Sequence, residues 1–281
     1  MNKFTVRQMR KDELCIAIDW AAKEGWNPGL KDDECFYAAD PNGFFIGLLG
    51  DEPVATISSV SYDQDFGFMG LYIVKPEYRN QGYGMAVWNK ALDYLGLRNA
   101  GGDGVLERIE DYKTQGFKPA YRNIRFQGLS WGKKETKRAL TEISQIPLDS
   151  LFNYDDELFF AQRHNFLKCW ISQSGHYGLG YLEKNLVRGY GVIRKSFSGY
   201  KIGPLFADNH SIATDILYGL ISSLPEKTDF FLDVPEPNVL ALSLANSHGM
   251  KGAFETIRIY TKEAPAVPLE KWYGVTSFEL G

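Results

Sequence analysis

Residues 74–88 read VKPEYRNQGYGMAVW, with Pro76 and an arginine ahead of two glycines, Gly82 and Gly84. An apolar run typical of a strand, residues 68–74, precedes the arginine. The apolar residues behind the glycines recur at the spacing of one helix face. We therefore predict a strand, a loop and a helix over residues 82–97, with the arginine and both glycines at the corner.

This corner has the features of an anion site. A helix N-terminus presents unpaired backbone N–H groups and about half a positive charge. Glycines let a bulky anion approach the backbone, and Arg79 adds a charged fork. The alternative is a strand–helix turn that needs glycine for its geometry alone. Two other phosphate loops are excluded, because no G-K-[ST] follows and Val87 occupies the last position of G-x-G-x-x-G.

The composition is that of an ordinary globular protein with one large or two small domains. The 281 residues are 44% hydrophobic and 23% charged, with a formal charge of −4. That charge argues against nucleic acid or an anionic membrane as the main partner, since both favour a basic protein. No apolar run approaches the length of a membrane span, and the charged start is unlike a signal peptide. We expect a cytoplasmic protein.

The cysteines and histidines predict no metal site. The three cysteines have neither metal-ligand nor disulfide-framework spacing, so we expect each to be a small buried hydrophobic residue. The four histidines belong to different predicted elements. These residues are Cys15, Cys35 and Cys169, and His164, His176, His210 and His248.

The element order of the first half recurs in the second. GFKPAYRNIRF at residues 116–126 matches GMKGAFETIRI at residues 249–259, and in both places a helix precedes the glycine and a strand follows. The second copy has Asp208-Asn209-His210 where the first has its arginine and glycines, and Ala245 where the first has Tyr112. We predict a duplication in which only the first copy keeps the anion site. The predicted domains are residues 1–130 and 147–281, with a connector at 131–146.

Several further elements follow from local patterns. NAGGDG at residues 99–104 is typical of a turn, and a second helix should run over residues 105–115 and end at Gly116. The Gly-rich residues 175–195 predict a hairpin, and residues 153–170 predict one helix.

Two segments resemble the GNAT acetyltransferases. Arg79-Asn80-Gln81-Gly82-Tyr83-Gly84 resembles the acyl-CoA-binding motif R/Q-x-x-G-x-G/A of that family, and YKTQGF at residues 112–117 is similar to its tyrosine–x–x–x–Gly–Phe segment. The resemblance covers about residues 4–128. IGPLFAD, LDVPEPN and YGVTSFELG in the second half resemble the degenerate C-terminal domain of the two-domain, YitH-type members.

The resemblance implies an α/β fold of tandem GNAT-like domains, each with a central mixed, mostly antiparallel sheet flanked by helices. It implies acetyl-CoA as co-substrate and no metal. The diphosphate would bind the N–H groups of residues 81–85, and the pantetheine arm would lie along residues 72–74. One departure is Val105, which stands where many members have an asparagine. The implied donor-binding residues are Tyr72, Ile73, Val74, Arg79, Asn80, Gln81, Gly82, Tyr83, Gly84 and Met85.

The implied reaction transfers an acetyl group to a primary amine of a small molecule or peptide. By position in the family's segment, Tyr112 would be the general acid, although a packing role is the alternative. No general base can be identified, because the candidate carboxylates have the pattern of solvated surface groups. The candidates are Asp63, Asp65, Asp103 and Glu107.

The acceptor should bind in a cleft between the halves, since binding sites favour domain interfaces. The segment 153–170 offers polar and aromatic side chains for it, although a solvated amphipathic helix explains them equally well. An acyl-CoA-binding regulatory protein without turnover is the alternative function, and a homodimer is an open expectation. The side chains in question are Tyr154, Asp155, Asp156, Arg163 and Trp170.

Overall fold

The computed structural model describes residues 3–133 and 136–281. Both halves combine helices with strands. The first half contains β1 (Phe4–Gln8), α1 (Leu14–Lys23), α2 (Asp32–Ala39), β2 (Phe44–Leu49), β3 (Glu52–Ser61), β4 (Phe66–Val74), α3 (Tyr83–Leu95), β5 (Asn99–Val105), α4 (Ile109–Thr114) and β6 (Lys118–Leu129). The second contains β7 (Thr141–Glu142), α5 (Leu148–Asp156), α6 (His164–Ser172), β8 (His176–Glu183), β9 (Leu186–Lys195), β10 (Tyr200–Ala207), α7 (His210–Ile221), β11 (Asp229–Pro235), α8 (Val239–Ser247), β12 (Lys251–Tyr260) and β13 (Trp272–Gly274).

All the strands belong to one sheet in the order β1-β2-β3-β4-β5-β12-β6-β11-β10-β9-β8-β7, and β13 pairs with β10. Most neighbouring strands are antiparallel, whereas β4 pairs with β5 and β10 with β11 in parallel. Helices pack on the sheet around several apolar clusters. The mixed α/β class and the tandem arrangement are confirmed.

The two halves exchange strands at the middle of the sheet. β12 lies between β5 and β6, and β6 lies between β12 and β11. In the β6–β12 pair, Asn123 lies opposite Thr256, and these two residues have the same offset as Gly116 and Gly249 in the sequence repeat. The repeat is therefore structural, with an approximate two-fold relation at this pair. The boundaries at residues 130 and 147 stay a prediction, and residues 134–135 of the connector lie outside the described residues.

A buried ion pair joins the halves on each side of the exchange. The guanidinium of Arg125 on β6 binds Asp233 on β11 through two hydrogen bonds of 2.6 and 2.8 Å. Arg258 on β12 binds Asp103 on β5 through two bonds of 2.8 Å. Burial alone would raise the pKa of Asp233, but Arg125 and Lys201 lower it to about 2. These contacts hold each exchanged strand against its neighbour from the other half.

In each half a parallel pair of strands, β4–β5 or β10–β11, is bonded over a short stretch and then separates, and we call the gap beyond that stretch a fork. The two forks differ. β10 and β11 pair only over Tyr200–Ile202, and beyond them β13 inserts, with Gly274 opposite Leu205 on β10. The N–H of Val275 then donates to the carbonyl of Asp233 on β11, at 2.8 Å. The second fork is thus filled by the chain itself.

Two expectations about local structure are wrong. Residues 99–104 form most of β5 rather than a turn, because Gly101 leaves room for the rings of Phe68 and Tyr260, which lie 3.0–3.1 Å from where its Cβ would be. The second helix, α4, starts later than predicted, after a 3₁₀ turn. Its end at Gly116 is confirmed, with a φ of +86°.

The segment 153–170 is two helices, α5 and α6, rather than one. At the break, Arg163 turns inward and binds Asp155 at 2.7 and 2.8 Å, and both side chains are buried. Trp170 is also buried, and its indole N–H donates to the carbonyl of Gly203. Asp155, Arg163 and Trp170 are thus bonded within the core, and the acceptor role expected of the segment stays a prediction.

The cysteines also differ from expectation. Cys35 on α2 and Cys169 on α6 form a disulfide with Cα atoms 5.3 Å apart, and Cys15 is exposed. A separation of 134 residues gives no sequence signal for this pairing, because only the packing of α2 against α6 brings the two together.

Replacing an arginine on one exchanged strand tests how much the buried ion pairs contribute to the free energy of unfolding. Arg258→Met should lower the free energy of unfolding by about 3–5 kcal/mol, because Asp103 stays buried without its cation. Lys113→Met is the control, since its pair with Glu110 is exposed and should matter little. Urea unfolding of both variants measures the difference, and equal losses would contradict a special role for the exchanged pair.

Candidate functional site

A cleft opens where β4 and β5 separate. The last pair between them joins Met69 to Gly102. Just beyond, β4 contains a bulge in which two residues oppose Ile57 of β3, and Leu71 there adopts a φ of +48°. The hydroxyl of Thr56 holds the bulge by donating to the carbonyl of Leu71, at 2.9 Å. A bulge bends its strand, and the cleft here has a volume of about 690 Å³.

The N-terminus of α3 lies at the mouth of this cleft. The N–H of Ala86 donates to the carbonyl of Gly82, so the N–H groups of residues 83–85 have no acceptor within the helix. Gly82 has a φ of +86°, and a Cβ there would point into open space. A Cβ on Gly84 would lie 2.5 Å from the hydroxyl oxygen of Tyr72. One glycine therefore serves the backbone turn and the other lets α3 approach β4.

Arg79 is held at the same mouth. Its Nε donates to the carbonyl of Val74 at 2.9 Å, and its Nη2 pairs with Glu24 of the α1 end at 2.5 Å. The arginine side chain is 43% exposed, so an incoming anion can reach it. The donor-binding predictions that line the cleft are Tyr72, Ile73, Val74, Arg79, Asn80, Gly82, Gly84 and Met85.

The other two predicted donor residues point elsewhere. The amide of Gln81 donates to the carbonyl of Glu77, and the ring of Tyr83 packs on Phe4 at 4.6 Å between centroids. Their backbone N–H groups remain at the helix start. The binding roles of all ten residues stay predictions.

Tyr112 forms part of the cleft wall. The centroid of its ring lies 6.4 Å from the ring centroid of Trp88. The Trp88 centroid lies 5.1 Å from that of Tyr72. Gly104 on β5 makes room for the phenol, because a Cβ there would be 2.2 Å from the ring. Burial raises the pKa of Tyr112, so the phenol keeps its proton at neutral pH. Its catalytic role stays a prediction.

The carboxylates considered as bases have different places. Asp103 lines the cleft, but its side chain is buried and bound to Arg258, so its expected surface position is wrong. Glu107 is exposed at the rim. Asp63 is outside the cleft and accepts from the N–H groups of Asp65 and the residue after it.

The second half supplies a part of the cleft that sequence reasoning missed. Phe254 and Thr256 reach it from β12, and Phe278 and Glu279 reach it from the C-terminal segment, residues 275–281. The strand exchange and the path of this segment place them there. The resemblance of YGVTSFELG to the family's C-terminal domain said nothing about a place in the cleft, so no signal in the sequence pointed to these residues.

The corresponding corner in the second half is closed to anions. The side chain of Asn209 caps α7 by accepting from the N–H of Ile212 at 3.1 Å. Asp208 beside it adds negative charge and binds Lys271. In residues 3–133 and 136–281, no three His, Cys, Asp or Glu side chains are grouped to hold a metal ion. Within the same ranges, no helix is long and apolar enough to cross a membrane.

An acyltransferase class is indicated by a forked sheet with a glycine-rich helix start at its mouth. Models of the acetyltransferase (GNAT) family and the acetyltransferase (GNAT) domain match residues 11–112 and 151–274. The chain is 30% identical over 278 residues to holothin acyltransferase from Pseudoalteromonas sp. (strain SANK 73390), covering 99% of this chain and 95% of that protein. The chain therefore belongs to the GNAT family, as an acyltransferase with two GNAT domains in tandem.

Solved structures show the same fold. A Pyrococcus horikoshii protein classed as an acetyltransferase superposes with a TM-score of 0.84 at 21% identity, over 99% of this chain and 96% of that one. A tandem GNAT protein from the clavulanic acid biosynthesis pathway gives a TM-score of 0.65 at 12% identity, over 93% of this chain and 100% of that one.

The contact between Gly104 and Tyr112 can be tested directly. Gly104→Ala should destabilise the protein by about 1–3 kcal/mol, because the added methyl overlaps the ring and displaces it. Gly252→Ala on β12 is the matched control, since its Cβ would find its nearest neighbour at 3.7 Å. Urea unfolding compares the two, and a neutral Gly104→Ala would contradict the packing described.

Proposed function

We propose that the chain transfers an acyl group, acetyl in the simplest case, from acyl-CoA to a primary amine of a small molecule or peptide. The observation that carries the proposal is the open fork between β4 and β5, which joins the start of α3 in a single cleft. Both parts of a thioester donor would thus have partners: an anionic end at the helix and an amide-containing arm at a strand edge.

The mouth of the cleft suits a diphosphate. The free N–H groups of residues 83–85 and the partial charge of α3 attract anions. Arg79 adds a guanidinium, which a phosphate can share with or take from Glu24. Beyond Met69, β4 pairs with β3 on one side only, so its other edge faces the cleft and can bond the amides of the pantetheine arm.

Transfer to an amine requires two proton movements. An amine with a pKa of about 10.4 is almost wholly protonated at pH 7, and freeing it costs roughly 4.6 kcal/mol. Nitrogen then attacks the thioester carbonyl, the C–N bond forms and the C–S bond breaks. Tyr112 can donate its proton to the departing thiolate, because burial keeps the phenol protonated.

Binding should be limited to one acyl-CoA for each chain. The second fork is filled by β13 and its helix start is capped by Asn209, so only the first fork is open. Calorimetric titration with acetyl-CoA should give a stoichiometry near one. Two equivalent sites would contradict the assignment of the donor to the first half.

Release of free thiol from acetyl-CoA, measured with a panel of primary amines, tests the function. Holothin belongs in the panel because it is named in the relative's activity. Thiol release that depends on an amine supports the transferase, and binding without release would indicate an acyl-CoA-binding regulator.

In the same assay, Tyr112→Phe should lower the single-turnover rate by about 10²–10⁴-fold, the usual worth of acid catalysis, and leave acetyl-CoA affinity nearly intact. Phenylalanine keeps the ring against Trp88 and removes only the hydroxyl. A single-turnover rate within about twofold of the parent would remove Tyr112 from the chemistry.

A further inference from the structure

We propose that Glu279 is the acceptor-side carboxylate of this enzyme: it binds the protonated amine of the acceptor and takes the proton that must leave before nitrogen attacks. The inference rests on the proposed function. It adds a general base for the amine and the expectation that the acceptor binds as a cation.

Glu279 is buried and lacks a hydrogen-bond partner among the described residues. Glu279 is one of the residues that line the cleft, and it is only 2% exposed. Neither carboxylate oxygen has a hydrogen bond within the described part of the chain. A buried carboxylate without a partner is unfavourable, so the arrangement suits a cationic or hydrogen-bonding group that arrives from outside.

Glu279 approaches the fork from the face opposite Tyr112. Met69 packs with the α3 residues in the cluster that Tyr112 also contacts. The next residue, Gly70, faces the other side of the sheet, because side chains alternate along a strand. A Cβ on Gly70 would lie 2.3 Å from the carbonyl oxygen of Glu279. The phenol of Tyr112 and the backbone of Glu279 thus lie on opposite faces of the sheet at the fork.

The C-terminal segment is fixed by hydrogen bonds on both sides of the glutamate. The hydroxyl of Tyr62 donates to the carbonyl of Leu280 at 2.8 Å, and the N–H of Leu280 donates to Oγ of Ser277 at 3.1 Å. Arg163 donates to the hydroxyl of Thr276 at 2.8 Å. The backbone at Glu279 is therefore held in place while its carboxylate is left free.

The other cleft carboxylates are engaged or exposed. Asp103 binds an arginine and an asparagine, and Glu24 and Asp111 pair with arginines. Glu107 is exposed at the rim. Among the cleft carboxylates of the described residues, Glu279 alone is both buried and unpartnered.

Two cations and one carboxylate lie behind Glu279 and leave a net positive charge there. Arg125 on β6 binds Asp233 on β11, and the Nζ of Lys201 on β10 lies 3.5 Å from the same carboxylate. Both cations lie near the ring of Phe278, at 4.8 and 5.9 Å from its centroid. Neither comes within ion-pair distance of Glu279, so their positive potential acts on it without occupying its oxygens.

The hydroxyl of Thr256 extends this acceptor side. It is buried in the cleft wall, and its oxygen has no hydrogen bond within the described residues. Thr256 and Glu279 both come from the second half. The Thr256 hydroxyl can accept a hydrogen bond from an ammonium or amine group, and the Glu279 carboxylate offers that group a negative charge.

The protons balance as follows. The ammonium gives one proton to Glu279 and becomes a neutral amine. As the C–N bond forms and the C–S bond breaks, Tyr112 donates its proton to the thiolate and recovers one from the nitrogen. Glu279 releases its proton to water after the amide leaves, so one proton is released for each amide formed.

Glu279→Gln removes the base while keeping the shape. With a simple alkylamine of pKa about 10.4, kcat/KM at pH 7 should fall by about 10²–10⁴-fold. The loss should shrink as the pH approaches the pKa of the amine, and it should be smaller for an amine of pKa about 8. Glu255→Gln on β12, whose surface pair with Arg122 lies outside the cleft, should behave as the parent does.

A loss that is the same at every pH and for both amines would overturn the assignment as a base. If Glu279→Gln does not fold, Glu279→Ala, which also removes the carboxylate, is compared through the same pH and amine series, and a parent-like profile there also overturns the assignment. Thiol release that keeps the parent profile in either variant would leave the proposed function intact and remove Glu279 from it.

A binding measurement is independent of turnover. Ligand-observed NMR with CoA present should show butylammonium binding the parent at least tenfold more tightly than 1-butanol, and Glu279→Gln should abolish the preference. This result can hold even if no amine in the panel is acylated, which separates failure of the proposed function from failure of the site. Equal or absent binding of both probes to the parent, or an unchanged preference in the variant, overturns the proposal.

Discussion

The exchange of β6 and β12 at the centre of the sheet is the constraint on which the rest of the structure depends. Each exchanged strand carries an arginine whose carboxylate partner belongs to the other half, Arg125 with Asp233 and Arg258 with Asp103. Buried charges of this kind are strongly destabilising when one partner is missing. Neither half can therefore complete its own sheet, and β5 is fixed on its far side by β12. The fork between β4 and β5 is held open from both of its walls.

One chain segment, from β13 to the last residue, closes the second fork and lines the first. β13 enters the second fork and pairs with β10, and the following residues run on to the first fork, where Glu279 lies against Gly70. Closing one cleft and lining the other are thus two consequences of a single path. This path is the physical reason for expecting one donor site in two similar domains, with residues of both halves around it.

The parts of the site that could be predicted from sequence are those fixed by a few neighbouring residues. Gly82 and Gly84 serve a turn and a close helix–strand approach, and both needs appear within one short stretch. The strand β5 was missed because its glycines have the composition of a turn, and only the rings packed over them favour a strand. Glu279 and the bond between Cys35 and Cys169 could not be predicted, because their partners in space are far away in sequence.

The polar groups of the cleft come from different halves of the chain. The groups suited to the donor, Arg79, Tyr112 and the start of α3, come from the first half and line the mouth and one face of the fork. The unpartnered oxygens of Thr256 and Glu279 come from the second half and face the other side. The bonds of Arg79 are to Val74 and Glu24 of its own half, so the C-terminal segment is not among its hydrogen-bond partners. Under the roles proposed above, donor binding and acceptor recognition therefore rest on different halves of the chain.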